Sequence, residues 1–163
     1  PYGEYAPEVI DIVRDLGFIA AYAQQSGVID GHQDPFILPR FPMGGPFATL
    51  EDFIAKARMR PLPVRKQEPL DPLVRAEHNP PVLHLYLPDM AGQAAAFNCF
   101  VQGDNRCTVE ENPQRGAGWY RVVAEKPVTG RRNKYTLTHP SAKGWLWFSQ
   151  LWINAERPLP ARR

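Results

Sequence analysis

Side chains able to do chemistry are sparse in this sequence, and most of them stand alone. The densest polar stretch is "DGHQDP", where His32 lies between Asp30 and Asp34. Imidazole and carboxylate together can bind a metal. Turns also use these residue types for solvation and backbone geometry, and we read this one as a solvated loop. The chain has four histidines, with no His-x-x-x-His pair among them. His78, His84 and His139 read as surface or cross-strand residues. Arg40 ends the short apolar run "FILPR". A guanidinium in that position can orient a carboxylate; a surface arginine, or one paired with Asp34, is the plainer role. "PYGEY" at the start sets Tyr2 beside a glycine turn. In "WLWFSQLWI", Trp145 and Trp147 share one face of a regular strand and Trp152 points the other way. Exposed indoles stack on sugar rings, but a small β-sandwich also needs large aromatics inside. A core role is expected.

The two cysteines, Cys99 and Cys107, flank "FVQGDNR", which reads as a hairpin. With Gln102, Gly103 and Asp104 as the loop, Cys99 lies opposite Cys107, at a separation a disulfide can span. A two-residue turn at Gly103 and Asp104 would move them out of opposition and leave two thiols packed as small hydrophobes.

The elements that must hold these residues fall into three regions. Residues 1–57 read as α/β. Val9, Val13 and Leu16 recur at helical spacing, with Pro7 suited to the first helical position and Gly17 to the position past the end. "FIAAYA" and "FILPRFPM" have the short apolar runs of buried parallel strands. "TLEDFIAKAR" starts with Thr49 and has Asp52 three residues on, a capping-box-like helix start. Residues 58–81 hold six prolines and many charges with no period, and read as an extended linker. Residues 82–155 hold some six short strands separated by Gly, Pro and Asn, the pattern of a small antiparallel sandwich. Residues 156–163 form a polar tail.

Composition excludes some classes. A formal net charge of +2 gives no electrostatic case for nucleic acid. No apolar run approaches the roughly 20 residues of a membrane-spanning helix, and no secretory signal pattern is visible. The 18 prolines, about twice the average usage, favour turns and strand edges over long helices.

The ordered series "PYGEY", "DLGFIAAYAQQSG" and "DPFILPRFPM" resembles the C-terminal end of a NodB-type polysaccharide deacetylase domain, carbohydrate esterase family 4. The likeness covers residues 1–57; the following sandwich resembles, more loosely, the accessory domain of exported members. The resemblance implies an α/β slice of a (β/α)7 deacetylase barrel followed by a small all-β sandwich. It implies hydrolysis of N- or O-acetyl groups on glycans by a divalent metal, zinc or similar, held by an Asp and two His in motifs that precede "PYG". Those motifs are not in this sequence, so the chain is expected to be inactive alone. It would pair with the preceding barrel portion, or with a second copy of itself, and act on an acetylated polysaccharide. By the same likeness Pro1, Tyr2 and Gly3 line the substrate groove, and the Tyr2 backbone N–H helps bind the oxyanion. Arg40 would lie at the catalytic rim. An exported enzyme would be periplasmic or extracellular, where a Cys99–Cys107 disulfide persists. The alternative is a non-catalytic β-sandwich that binds glycan or protein.

Overall fold

The computed structural model describes residues 3–103 and 105–158. Among these described residues two α-helices, α1 (Pro7–Asp15) and α2 (Leu50–Ala57), precede eight strands. These are β1 (Arg60–Pro61), β2 (Lys66–Glu68), β3 (Val82–Tyr86), β4 (Asn98–Val101), β5 (Cys107–Glu111), β6 (Trp119–Ala124), β7 (Arg132–Ser141) and β8 (Gly144–Ile153). The strands form two four-stranded sheets, ordered β1-β8-β7-β4 and β2-β3-β6-β5. Every pairing is antiparallel except β1 with β8.

Alternation along the strands builds the core between the sheets. Leu83, Leu85, Tyr120 and Val122 point inward from one sheet, and Tyr135, Leu137, Phe148 and Trp152 from the other. The long apolar run of β8 has a second cause. Its other face carries Leu151 and Ile153, which pack with Tyr5, Ala23 and Ile37 in a separate cluster. Residues 3–40 therefore lie across the outer face of this sheet, and β8 is covered on both sides, which demands a near-continuous apolar sequence.

The expected slice of a (β/α)7 barrel is overturned by this architecture: the chain is mostly β, with two helices and two sheets. The runs read as buried parallel strands meet in one isolated parallel bridge, Tyr22 to Leu38. Two features oppose a regular sheet there. Pro35, Pro39 and Pro42 cannot donate to a ladder, and Pro35–Ile37 closes into a 3-10 turn whose Phe36 N–H is capped by the Asp34 carboxylate. Burial is also lacking. Ile19 is 90% exposed, and Phe18 and Tyr22 are exposed with it.

The proline-rich stretch is more than a spacer. It sends β1 to the edge of one sheet and β2 to the edge of the other, positions that tolerate Pro. Leu62 between them is 2% exposed and joins the main core. Helix α2 starts as its sequence suggests, with the Thr49 hydroxyl accepting from the Asp52 N–H.

At the β4–β5 corner the chain switches sheets. An antiparallel bridge from Phe100 to Arg106 sets the register, and Cys99 and Cys107 are joined by a disulfide with their Cα atoms 5.5 Å apart. Because β4 and β5 belong to different sheets, the bond ties two sheet edges together rather than clipping one ladder. Gly103 takes the positive φ of the turn, and Asp104 lies outside the described residues.

Candidate functional site

Three backbone segments converge where the N-terminal region meets β7. Gly3 lies on the first. Its carbonyl accepts from the Gln24 N–H at 2.7 Å, its φ is +72°, and a Cβ there would stand 2.7 Å from the Gln24 nitrogen. Backbone conformation and space both demand glycine. Gly3→Ala is accordingly expected to destabilise the chain by about 1–3 kcal/mol; a chemical melt of the two forms checks this, and equal midpoints would contradict it.

The second segment holds Gln24, Gln25 and Ser26. The third ends at Arg40, whose N–H donates to the Gln25 carbonyl at 3.0 Å and whose guanidinium donates to the Gln24 side-chain oxygen at 3.4 Å. Ser26 is anchored from below by β8: its carbonyl accepts from the Trp147 indole N–H at 3.0 Å and from the Ser149 hydroxyl. Gln24, Gln25, Ser26, Arg40, Phe41 and Lys134 line a shallow depression of about 140 Å³. Burial lowers the pKa of the Lys134 ammonium. The depression thus presents two cations and two side-chain amides.

Glu4 fixes the first segment to the sandwich. Its carboxylate accepts from Arg131 Nη2 at 2.7 Å and Nε at 3.0 Å, and from Arg132 Nε at 2.9 Å. Only 15% of its side chain is exposed. The Arg131 hydrogen bond, acting first, with the charges of Arg131 and Arg132, holds the Glu4 carboxyl below the usual range against the cost of burial. Next to it, burial pushes the Tyr5 hydroxyl up to about 12, so it stays protonated in the second core.

The structure places the sequence candidates unevenly. Gly3 and Arg40 come together around Gln24. Arg40 is exposed and does not pair with Asp34, whose carboxylate caps the 3-10 turn. Pro1 and Tyr2 lie outside the described residues. His32 sits on an exposed turn in which the Asp30 carboxylate accepts the His32 backbone N–H. Among the described residues no three His, Cys, Asp or Glu are grouped to hold a metal. The tryptophans divide by parity: Trp152 is in the core, Trp147 holds Ser26 and meets Phe41 edge-on at 5.3 Å, and Trp145 is exposed.

Sequence reasoning passed over Glu4, Gln24, Gln25 and Lys134. Glu4 had a faint signal, as an acid directly after the glycine turn. Lys134 had none, because its role depends on what covers the outer face of β7. No protein family, curated protein or solved structure matches this chain.

Proposed function

We propose that this chain is the C-terminal part of a metal-dependent polysaccharide deacetylase, one that removes N- or O-acetyl groups from a glycan. The observation that carries the reading is the convergence of Gly3 and Arg40 on Gln24. The resemblance gives Gly3 to the substrate groove and Arg40 a catalytic role, and the two stand 37 positions apart in the sequence.

By the resemblance the divalent metal would be held by motifs preceding "PYG"; among the described residues no three His, Cys, Asp or Glu are grouped to hold one. No step through it is derived. What this chain can supply is positioning. Among the described residues no carboxylate pairs with the Arg40 guanidinium, so its fork is available to orient one from the preceding part of the enzyme. The Gln24 N–H bond to the Gly3 carbonyl would hold Gly3 beside Arg40, at the edge of the groove the resemblance implies. The expected setting is the periplasm or the cell exterior. The disulfide suits an oxidising compartment, and no described helix is long and apolar enough to cross a membrane.

The experiment uses the enzyme that carries this chain together with its metal-binding motifs. Arg40→Met is expected to lower kcat for acetate release about 100-fold, the usual effect of losing a positioning group, with the melting temperature little changed. Wild-type kcat in the variant would remove Arg40 from the site.

A second reading rests on the sandwich itself. Its core is complete within residues 62–152, as a non-catalytic glycan- or protein-binding module requires.

A further inference from the structure

Gln25 also lines a larger cleft of about 490 Å³, within the ordinary range for small-molecule sites. One wall is the turn carrying Asp30, His32, Gln33 and Asp34. The facing wall is the strand edge at Arg65, Lys66, Gln67 and Glu68. Ile37, Leu62 and Phe148 form an apolar floor. The cleft thus joins the polar loop of the N-terminal region to the proline-rich stretch.

Two glutamines line it with fixed orientations. Gln25 donates its amide N–H to the Ile37 carbonyl at 2.8 Å, which leaves its side-chain oxygen buried with no partner. Gln67 donates to the Gln150 side chain at 2.8 Å, anchoring the amide to the fully buried centre of β8.

The wall chemistry narrows the ligand. Carboxylates only accept, while ammonium and guanidinium groups only donate. On the second wall Arg65 is shared with Asp89 at 3.6 Å and the Glu68 carboxylate is taken up by Arg115 at 2.6 Å, so a ligand reaching both walls must donate toward Asp30 and Asp34 and accept chiefly from Lys66, with Arg65 beside it. Hydroxyl groups do both without carrying charge. A phosphate would meet the two aspartates, and a simple amine would leave Arg65 and Lys66 unserved. The floor asks for a ring with an apolar C–H face. Polyhydroxylated, uncharged and apolar on one face describes a pyranose.

We propose that this cleft is a saccharide-binding site, separate from the Gly3–Arg40 depression and sized for one or two sugar rings. The site holds a glycan segment between the 30–34 turn and strand β2. It operates whether or not the chain takes part in deacetylation, so it does not rest on that reading.

The test is a titration of the ¹⁵N-labelled chain with N,N′-diacetylchitobiose, with cellobiose and with glycerol, followed by amide shifts. A disaccharide is expected to shift amides in residues 30–34 and 65–68, and glycerol at equal concentration to leave them in place. Asp30→Asn with Lys66→Met should weaken that binding at least tenfold while the rest of the spectrum is unchanged. If the double variant perturbs the fold, Lys66→Met alone is used, with an expected weakening of about threefold. No shifts with either disaccharide, shifts confined to residues outside the cleft, or affinity unchanged in the folded variants would each overturn the proposal. Failure of the deacetylase reading would show separately, as absence of acetate release with cleft binding intact.

Discussion

Trp152→Ala is expected to cost about 3–5 kcal/mol, the usual loss for deleting a large buried aromatic. The ring is 1% exposed, lies between the two sheets and meets Tyr135 edge-on at 5.5 Å. Total stability of a domain is about 5–15 kcal/mol, so one substitution consumes a large part of it. Trp152→Phe keeps the ring contact and most of the volume and should cost much less. Urea unfolding followed by circular dichroism gives both values. An alanine variant within about 1 kcal/mol of wild type would mean that the sheets do not close over this residue.

Glu4→Ala is expected to lower the melting temperature by about 5 °C, more than an exposed ion pair would. The carboxylate is mostly enclosed and bonded to two guanidiniums, so its removal leaves Arg131 and Arg132 without their shared acceptor. The pH dependence has a definite sign. The folded-state pKa of Glu4 is lowered, chiefly by the Arg131 hydrogen bond. Its contribution is therefore complete above the unfolded carboxyl value, near 4.5, and fades as pH falls through the lower folded value. The gap in melting temperature between wild type and Glu4→Ala should be widest at neutral pH and shrink toward pH 3. A gap that stays constant with pH would show that packing rather than charge is responsible. Because the contact spans 127 residues of sequence, the same measurement reports on how firmly residues 3–40 are held to the sandwich.

How much of this was legible in the sequence depends on how local the determining interactions are. Both helices were readable from side-chain spacing and caps, since Thr49 and Asp52 act within one turn. The strands of the sandwich were readable from period-2 alternation, as in "VLHLY" with its inward Leu83 and Leu85. The parity of Trp145, Trp147 and Trp152 followed from the same rule. The barrel slice was not borne out, because an apolar run such as "FIAAYA" does not state what will cover it. Here the chain lays Ala23 against β8 and leaves Ile19 in solvent. The role of the proline-rich stretch was hidden for a related reason. Strands of two and three residues carry no period, and their pairing with β8 and β3 is a property of the distant partners. In the candidate site, Gly3 and Arg40 were visible as types in a motif. Gln24, Gln25 and Lys134 were not, because they become neighbours only when the N-terminal region crosses the outer face of β7 and β8.

The central claim is best tested by acetate release. A polypeptide that carries deacetylase metal-binding motifs ahead of "PYG" together with this chain, as the proposal requires, is incubated with N-acetylated glucosamine oligosaccharides and with acetylated xylan. Free acetate is measured with and without a chelator. The account predicts release that a chelator stops and added Zn²⁺ or Co²⁺ restores, and none from the present chain by itself. A folded, metal-replete enzyme that releases no acetate from either substrate would contradict it, and so would equal release by the present chain alone.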